Sequence, residues 1–144
     1  MTDRSYLTAM ARRNPSRPIQ YLAARKLLRG RCLDFGCGRG RDAIAFGLEM
    51  YDPHFADQMP EGTFDTVLCT YVLNVIPSPT ERNAVLTVLS GKLSPGGIAY
   101  ISVRNDRRSL NGWTGRGTWQ GLIELDLPMV TTNSNFTMYL LERL

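Results

Sequence analysis

A short apolar stretch, Arg31-Cys32-Leu33-Asp34-Phe35, runs directly into Gly36-Cys37-Gly38-Arg39-Gly40, and Asp42 then opens a helical stretch through Ala43-Ile44-Ala45-Phe46. A strand that ends in a glycine-rich loop and opens a helix suits a nucleotide cofactor. Small residues let the backbone approach the ligand, and the first helical N–H groups face it. The spacing decides which cofactor. Counted from Gly36 and Gly38, the third glycine of a dinucleotide fingerprint falls at position 41, which is Arg41, and no G-K-[ST] follows to make a P-loop. Both of those readings fail. His54 is the sole histidine, which disfavours multi-histidine metal sites and a Ser-His-Asp hydrolase built elsewhere. Cys32, Cys37 and Cys69 are odd in number and never spaced as C-x-x-C, so neither a disulfide framework nor a zinc site is suggested and no metal is expected.

The elements that position these residues follow from periodicity. Pro18 fits a first helical turn, Ile19, Leu22, Ala23 and Leu27 share one face, and Gly30 supplies a left-handed stop, which predicts an amphipathic helix of about three turns. A second short strand ends at Tyr51-Asp52-Pro53, and Phe64 to Thr70 reads as a third. Ser78-Pro79-Thr80-Glu81 is a capping box; Val85, Leu86, Leu89 and Leu93 carry the helical period behind it, and the helix is expected to end at Ser94-Pro95-Gly96-Gly97. Ile98 to Val103 is a near-continuous apolar run, as for a strand covered on both faces. Strand alternating with helix predicts an α/β fold with a mostly parallel sheet and helices on both faces. The alternating segments 122–127 and 136–141 predict a C-terminal antiparallel hairpin.

The run Leu33-Asp34-Phe35-Gly36-Cys37-Gly38-Arg39-Gly40 resembles motif I of the class I S-adenosylmethionine-dependent methyltransferases: apolar, acid, apolar, then G-x-G-x-G. The resemblance extends from Arg31 to Gly97. It takes in the acid ending the second strand (Asp52), the Phe64-Asp65 pair opening the third, and Leu93-Ser94-Pro95-Gly96-Gly97, similar to that family's leucine-x-proline-glycine-glycine turn. The closing hairpin matches the family's antiparallel end. What the resemblance implies is a Rossmann-like methyltransferase with S-adenosyl-L-methionine as cofactor. Gly36, Gly38 and Gly40 would pass under the cofactor's amino acid and ribose, with Asp34 orienting the loop or the amino group. Asp52, followed by Pro53, would accept both ribose hydroxyls as a bidentate carboxylate. Thr70 and Tyr71 resemble positions that contact the methionine part. His54, Phe55 and Asp57 would flank the adenine or serve as ordinary loop residues.

One departure from the family pattern is visible. The family places a helix and a further strand between the positions of Asp52 and Phe64, and only residues 53–63 are available here. A crossover alone takes roughly a dozen residues. One helix-strand unit is therefore missing, and the second strand becomes a sheet edge that a second copy or the N-terminal arm would cover.

A narrower likeness lies in Tyr51-Asp52-Pro53, Tyr71-Val72-Leu73-Asn74-Val75-Ile76-Pro77 and Glu81-Arg82, which are similar to segments of methyltransferase-like proteins encoded with DNA phosphorothioation genes. Asn74-Val75-Ile76-Pro77 sits where amino-DNA methyltransferases carry an Asn-Pro-Pro-Tyr motif. It lacks the adjacent prolines and the aromatic, so a base-flipping pocket of that kind is not supported. On the acceptor side the candidates are Tyr71, Asn74, Arg104, Asn105 and Asp106, with Asp106 the best carboxylate for taking a proton; the competing reading is a polar loop that caps the sheet. The segment 107–119 mixes arginine, glycine and two tryptophans, as in a lid that closes on a substrate, unless Trp119 begins the hairpin and packs on the core.

Length and charge bound the rest. At 144 residues, 43% hydrophobic and 21% charged, the chain is expected to be one globular domain over residues 1–144, with 1–30 a basic helical region. Residues 1–41 hold ten basic side chains against two acids within a net charge of +4. That asymmetry makes nucleic acid a possible partner or acceptor. It also supports a second reading, a non-catalytic module of this fold that binds nucleic acid or a protein. No run approaches the roughly 18 apolar residues of a membrane span, and the N-terminus lacks a signal-peptide layout, so a cytoplasmic chain without a membrane partner is expected.

Overall fold

The computed structural model describes residues 14–106 and 111–143. Its helices are α1 (Arg17–Ala24), α2 (Arg41–Phe46) and α3 (Pro79–Gly91). The strands are β1 (Cys32–Phe35), β2 (Glu49–Tyr51), β3 (Phe64–Thr70), β4 (Leu93–Arg104), β5 (Gly112–Trp113), β6 (Trp119–Gln120), β7 (Met129–Thr132) and β8 (Phe136–Glu142). Six strands form one sheet in the order β2-β1-β3-β4-β8-β7. The first four run parallel, and β8 pairs antiparallel with both β4 and β7.

Side-chain alternation along these strands builds a core on each face. Leu68, Tyr100 and Met138 point to the side covered by α1 and α2, where they pack with Ile19, Leu22, Ala43 and Leu48. Leu33, Val67, Cys69, Ala99, Ile101 and Val103 point to the other side, against Leu73, Val85 and Leu89. Each such fully buried aliphatic side chain contributes about 1.5–3 kcal/mol. The helices therefore lie on both faces of a mostly parallel sheet with an antiparallel end.

The connection from β2 to β3 crosses β1 without a helix or a strand: residues 53–63 hold turns, bends and coil, with one isolated bridge from Ala56 back to Asp52. Met59 packs on the core face shared with α3, and the Lys92 ammonium donates to the Pro60 carbonyl at 2.8 Å. Coil thus does the sealing that the missing helix-strand unit would otherwise do, and β2 stands at the edge of the described sheet.

Four local expectations are corrected. Helix α1 has two turns, not three, and stops at Ala24. The Lys26 amide bonds to the Ala23 carbonyl and the Leu27 amide to the Leu22 carbonyl, with Lys26 in the left-handed region (φ +57°). This is a Schellman ending in which a lysine takes the position the sequence assigns to Gly30. Helix α3 keeps its predicted start, with the Glu81 amide donating to Ser78 Oγ at 3.2 Å, but ends at Gly91. Leu93 already pairs with Phe64, and Ile98 pairs with Thr66. Ser94-Pro95-Gly96-Gly97 is therefore a bulge inside β4 rather than the turn that ends α3. Residues 122–127 alternate between exposed and half-buried, yet they have no ladder partner, and the hairpin's first strand is β7 instead. Ile123, Leu125 and Leu127 pack on the core as an extended segment. Trp119 does not begin the large hairpin; it pairs with Trp113 in the separate β5–β6 ribbon.

Candidate functional site

Because β1 to β4 are parallel, the loops after them all emerge at one edge of the sheet. From β1 the chain moves outward to β2, and from β3 it moves the other way to β4. The point between β1 and β3 is thus the topological switch where open α/β sheets bind ligands. The loop after β1 and the residues after β3 touch there. A Cβ on Gly36, whose φ is +79°, would stand 2.4 Å from Val72 Cγ2. Only glycine lets the two loops meet.

The glycine loop is stapled to the end of β2 by three successive amides. Gly36 N–H and Cys37 N–H donate to the Tyr51 carbonyl at 2.7 and 3.0 Å, and Gly38 N–H donates to Asp52 Oδ2 at 2.9 Å. Gly40, in the left-handed region, starts α2, and a Cβ there would stand 2.8 Å from Met50 Sδ. Asp34 on β1 is 3% exposed. The Cys37 thiol lies among these groups: burial, reinforced by the carboxylates of Asp34 and Asp52, pushes it up to about 12.

Asp52 is 8% exposed, and its second oxygen is also engaged. Oδ1 accepts from His54 N–H at 2.9 Å and from Phe55 N–H at 3.1 Å. Backbone bonds between Asp52 and Ala56, at 2.9 and 3.0 Å, close the loop that carries them. His54 and Phe55 stack edge to face at 4.7 Å, and the Arg39 guanidinium stands 5.3 Å from the Phe55 ring. Pro53 and Asp57 are exposed.

At the far side of the crevice, Thr70 is half-buried at the end of β3 and Tyr71 follows with φ +59°. A left-handed aromatic residue costs of order 1–3 kcal/mol and persists where the surroundings over-determine it. Here the Tyr71 amide donates to the Ser102 carbonyl at 2.8 Å, and the Arg104 guanidinium stands 5.4 Å from the Tyr71 ring.

The remaining acceptor-side candidates separate. Asn74 is buried in a 3-10 turn, Leu73–Val75. Its amide nitrogen donates to Gln120 Oε1 at 3.1 Å and its carbonyl accepts from Gly121 N–H, so it clasps the β5–β6 ribbon. The Asn105 amide nitrogen is likewise engaged, donating to the Asn133 carbonyl and to Thr137 Oγ1, while the side-chain oxygens of Asn74 and Asn105 are buried without a partner among the described residues. Asp106 is half-buried two residues past the end of β4. Trp113 is 63% exposed on the ribbon, while residues 107–110 and the arm before residue 14 lie outside the described residues.

Sequence reasoning missed Ser102. It is 1% exposed on β4, opposite Thr70, and its hydroxyl has no partner among the described residues. The signal available was a small polar side chain, the one serine, inside the apolar run Ile98 to Val103. Among the described residues no group of three His, Cys, Asp or Glu side chains could hold a metal. No described helix is long and apolar enough to cross a membrane.

Comparison with known proteins completes the description. Residues 6–133 match a family described as a methyltransferase domain. The structure is similar to an N-methyltransferase, NodS from Bradyrhizobium japonicum WM9 in complex with S-adenosyl-L-homocysteine, at 14% identity and a TM-score of 0.54, covering 94% of this chain and 95% of that one. It is also similar to DhpI in its S-adenosylhomocysteine complex, at 12% identity and a TM-score of 0.55, with 85% of each chain covered. Against CalS10, an amino pentose methyltransferase from Micromonospora echinaspora, identity is 20% and the TM-score 0.48. This chain spans about half of that relative's length, covering 67% of itself and 52% of CalS10. These likenesses are of fold. No curated protein matches the sequence.

Proposed function

We propose, for a chain that belongs to the methyltransferase domain family, that it binds S-adenosylmethionine at the switch point between β1 and β3 and moves the methyl group to an acceptor held above the ends of β3 and β4. The observation that carries this reading is the convergence of the Gly36–Gly40 loop, Asp52 and Tyr71 on one crevice, with Gly36 pressed against Val72. The residues fit the cofactor. The glycines leave a cradle without Cβ atoms, Asp52 Oδ2 keeps room for a hydroxyl donor, and a buried, unpartnered hydroxyl stands on Ser102, whose carbonyl accepts from the Tyr71 amide.

When bound, this cofactor supplies a methyl carbon made electrophilic by a sulfonium. Asp52 would hold the ribose, and the amide bonds of residues 36–38 to Tyr51 and Asp52 keep the cradle rigid. Tyr71 and Arg104 would wall the acceptor side and exclude water from the line of displacement. Asp106 would receive the proton released by an N–H or O–H acceptor as its lone pair forms the new bond to carbon. Asn74 holds the ribbon through Nδ2 and its backbone carbonyl and keeps a buried, unpartnered Oδ1, so it would both position the ribbon and remain an acceptor-side candidate.

Calorimetry with S-adenosylhomocysteine tests the reading. Binding is expected, and replacing Asp52 by Ala is expected to weaken it by about 1.5–3 kcal/mol, the range for hydrogen bonds to a charged group. Absence of binding at millimolar ligand would overturn it. A labelled-methyl assay on separated DNA, RNA, protein and small-molecule fractions then identifies the acceptor.

A further inference from the structure

We infer that Asp52 recognises a single ribose hydroxyl, through Oδ2 alone, and not both hydroxyls as a two-oxygen clamp. This rests on the cofactor reading above. A carboxylate offers about four acceptor positions, two on each oxygen. Oδ1 has both of its positions filled by the amides of His54 and Phe55, and Oδ2 has one filled by the amide of Gly38. Among the described residues, one acceptor position on Oδ2 remains.

The amides cannot easily be spared. Those of His54 and Phe55 belong to a loop closed by the two backbone bonds between Asp52 and Ala56, so neither can turn away without opening it. The Gly38 amide follows two others already bonded to the Tyr51 carbonyl. Engaging a second hydroxyl on Oδ1 would displace the amide of His54 or Phe55 from the loop's carboxylate cap, so the bond lost offsets the bond gained.

The cause lies in the shortened chain. With no helix-strand unit after β2, the chain turns back immediately past the acid, and the amides of that turn take the carboxylate as their cap. The same residue that reads as a ribose acid is largely used as a turn acceptor, and the ligand receives what is left.

The test uses the unmodified protein, so no variant has to fold. Affinity is measured by calorimetry for S-adenosylhomocysteine and for its 2′-deoxy and 3′-deoxy ribose analogues. The expected result is that one analogue binds at least about tenfold more weakly while the other stays within about threefold of the parent. Comparable losses for both analogues would overturn the single-hydroxyl inference and leave the cofactor reading standing, and so would no loss for either. Failure of the parent compound to bind overturns the cofactor reading, and this inference with it.

Discussion

Ser16 and Asp42 form a two-point clasp: the Ser16 amide donates to Asp42 Oδ1 at 2.7 Å and the Ser16 hydroxyl to Oδ2 at 2.5 Å. Both residues are buried, one capping α1 and the other in the first turn of α2. The helix that follows the basic N-terminal arm is thereby tied to the helix that follows the glycine loop. Ser16→Ala removes the N-cap and one bond to a buried carboxylate, so it is expected to destabilise the fold by about 1–3 kcal/mol. Urea unfolding measures this; a loss below about 0.5 kcal/mol would mean the clasp is not formed in solution.

Gly36 should tolerate no side chain while Val72 faces it. Gly36→Ala meets a left-handed backbone cost of about 1–2 kcal/mol in addition to the overlap with Val72 Cγ2. In the double variant with Val72→Ala only the overlap is relieved. The two changes are therefore expected to be less destabilising together than the sum of the singles, by about 0.5–3 kcal/mol. Additive effects in thermal or urea unfolding would disprove contact between the two loops.

Acid should remove a surface contribution at the β2 edge. The Arg31 guanidinium, bonded to both Glu49 oxygens at 2.6 and 2.8 Å, holds the Glu49 carboxyl below its usual range. The Arg31 amide and the Ser94 hydroxyl do the same for Asp65. A carboxylate depressed in the folded state contributes stability above its unfolded value, about 4, and loses it as pH falls through the folded value. Unfolding free energy should fall with acidification below about pH 4.5, and Glu49→Gln should make that slope shallower. An unchanged slope would show that the pair is open in solution; because both partners are exposed, the effect is small.

The thiol in the glycine loop should be inert despite its position beside the crevice. Raised to about 12, Cys37 is ionised in only about one molecule in ten thousand at pH 8. Cys69, wholly buried, is pushed up as well. Alkylation at pH 8 should be slow in the native protein and should reach all three cysteines in urea. Rapid native labelling of Cys37, located by peptide mapping, would contradict the packing described here.

Local pattern was enough for much of the fold. The start of α3 follows from Ser78 and Pro79, the bounds of β3 from the run Phe64 to Thr70, and the missing unit from the count of residues after Asp52. Each depends on neighbours in the chain. Lys26 in place of Gly30 was not legible because a left-handed lysine breaks the glycine preference at a helix end, and the bulge at Ser94–Gly97 and the unpaired segment 122–127 were not legible because strand pairing is settled by chain far away in sequence. Phe64 opposite Leu93 makes the bulge, and the absence of a ladder partner keeps an alternating segment from becoming a strand.

The sequence by itself determined which residues lie at the sheet's ligand edge, since motif spacing and parallel connections leave little freedom about where Gly36, Asp52 and Tyr71 emerge. Only the tertiary structure decided what each has left to offer a ligand. Hydrogen-bonding capacity is finite and is used first by whatever backbone folds against it: Asp52 meets three amides and keeps one acceptor position, whereas Asn74 spends Nδ2 on Gln120 and keeps its Oδ1. Residue type names the acceptor atoms, and the surrounding chain determines how many of them remain.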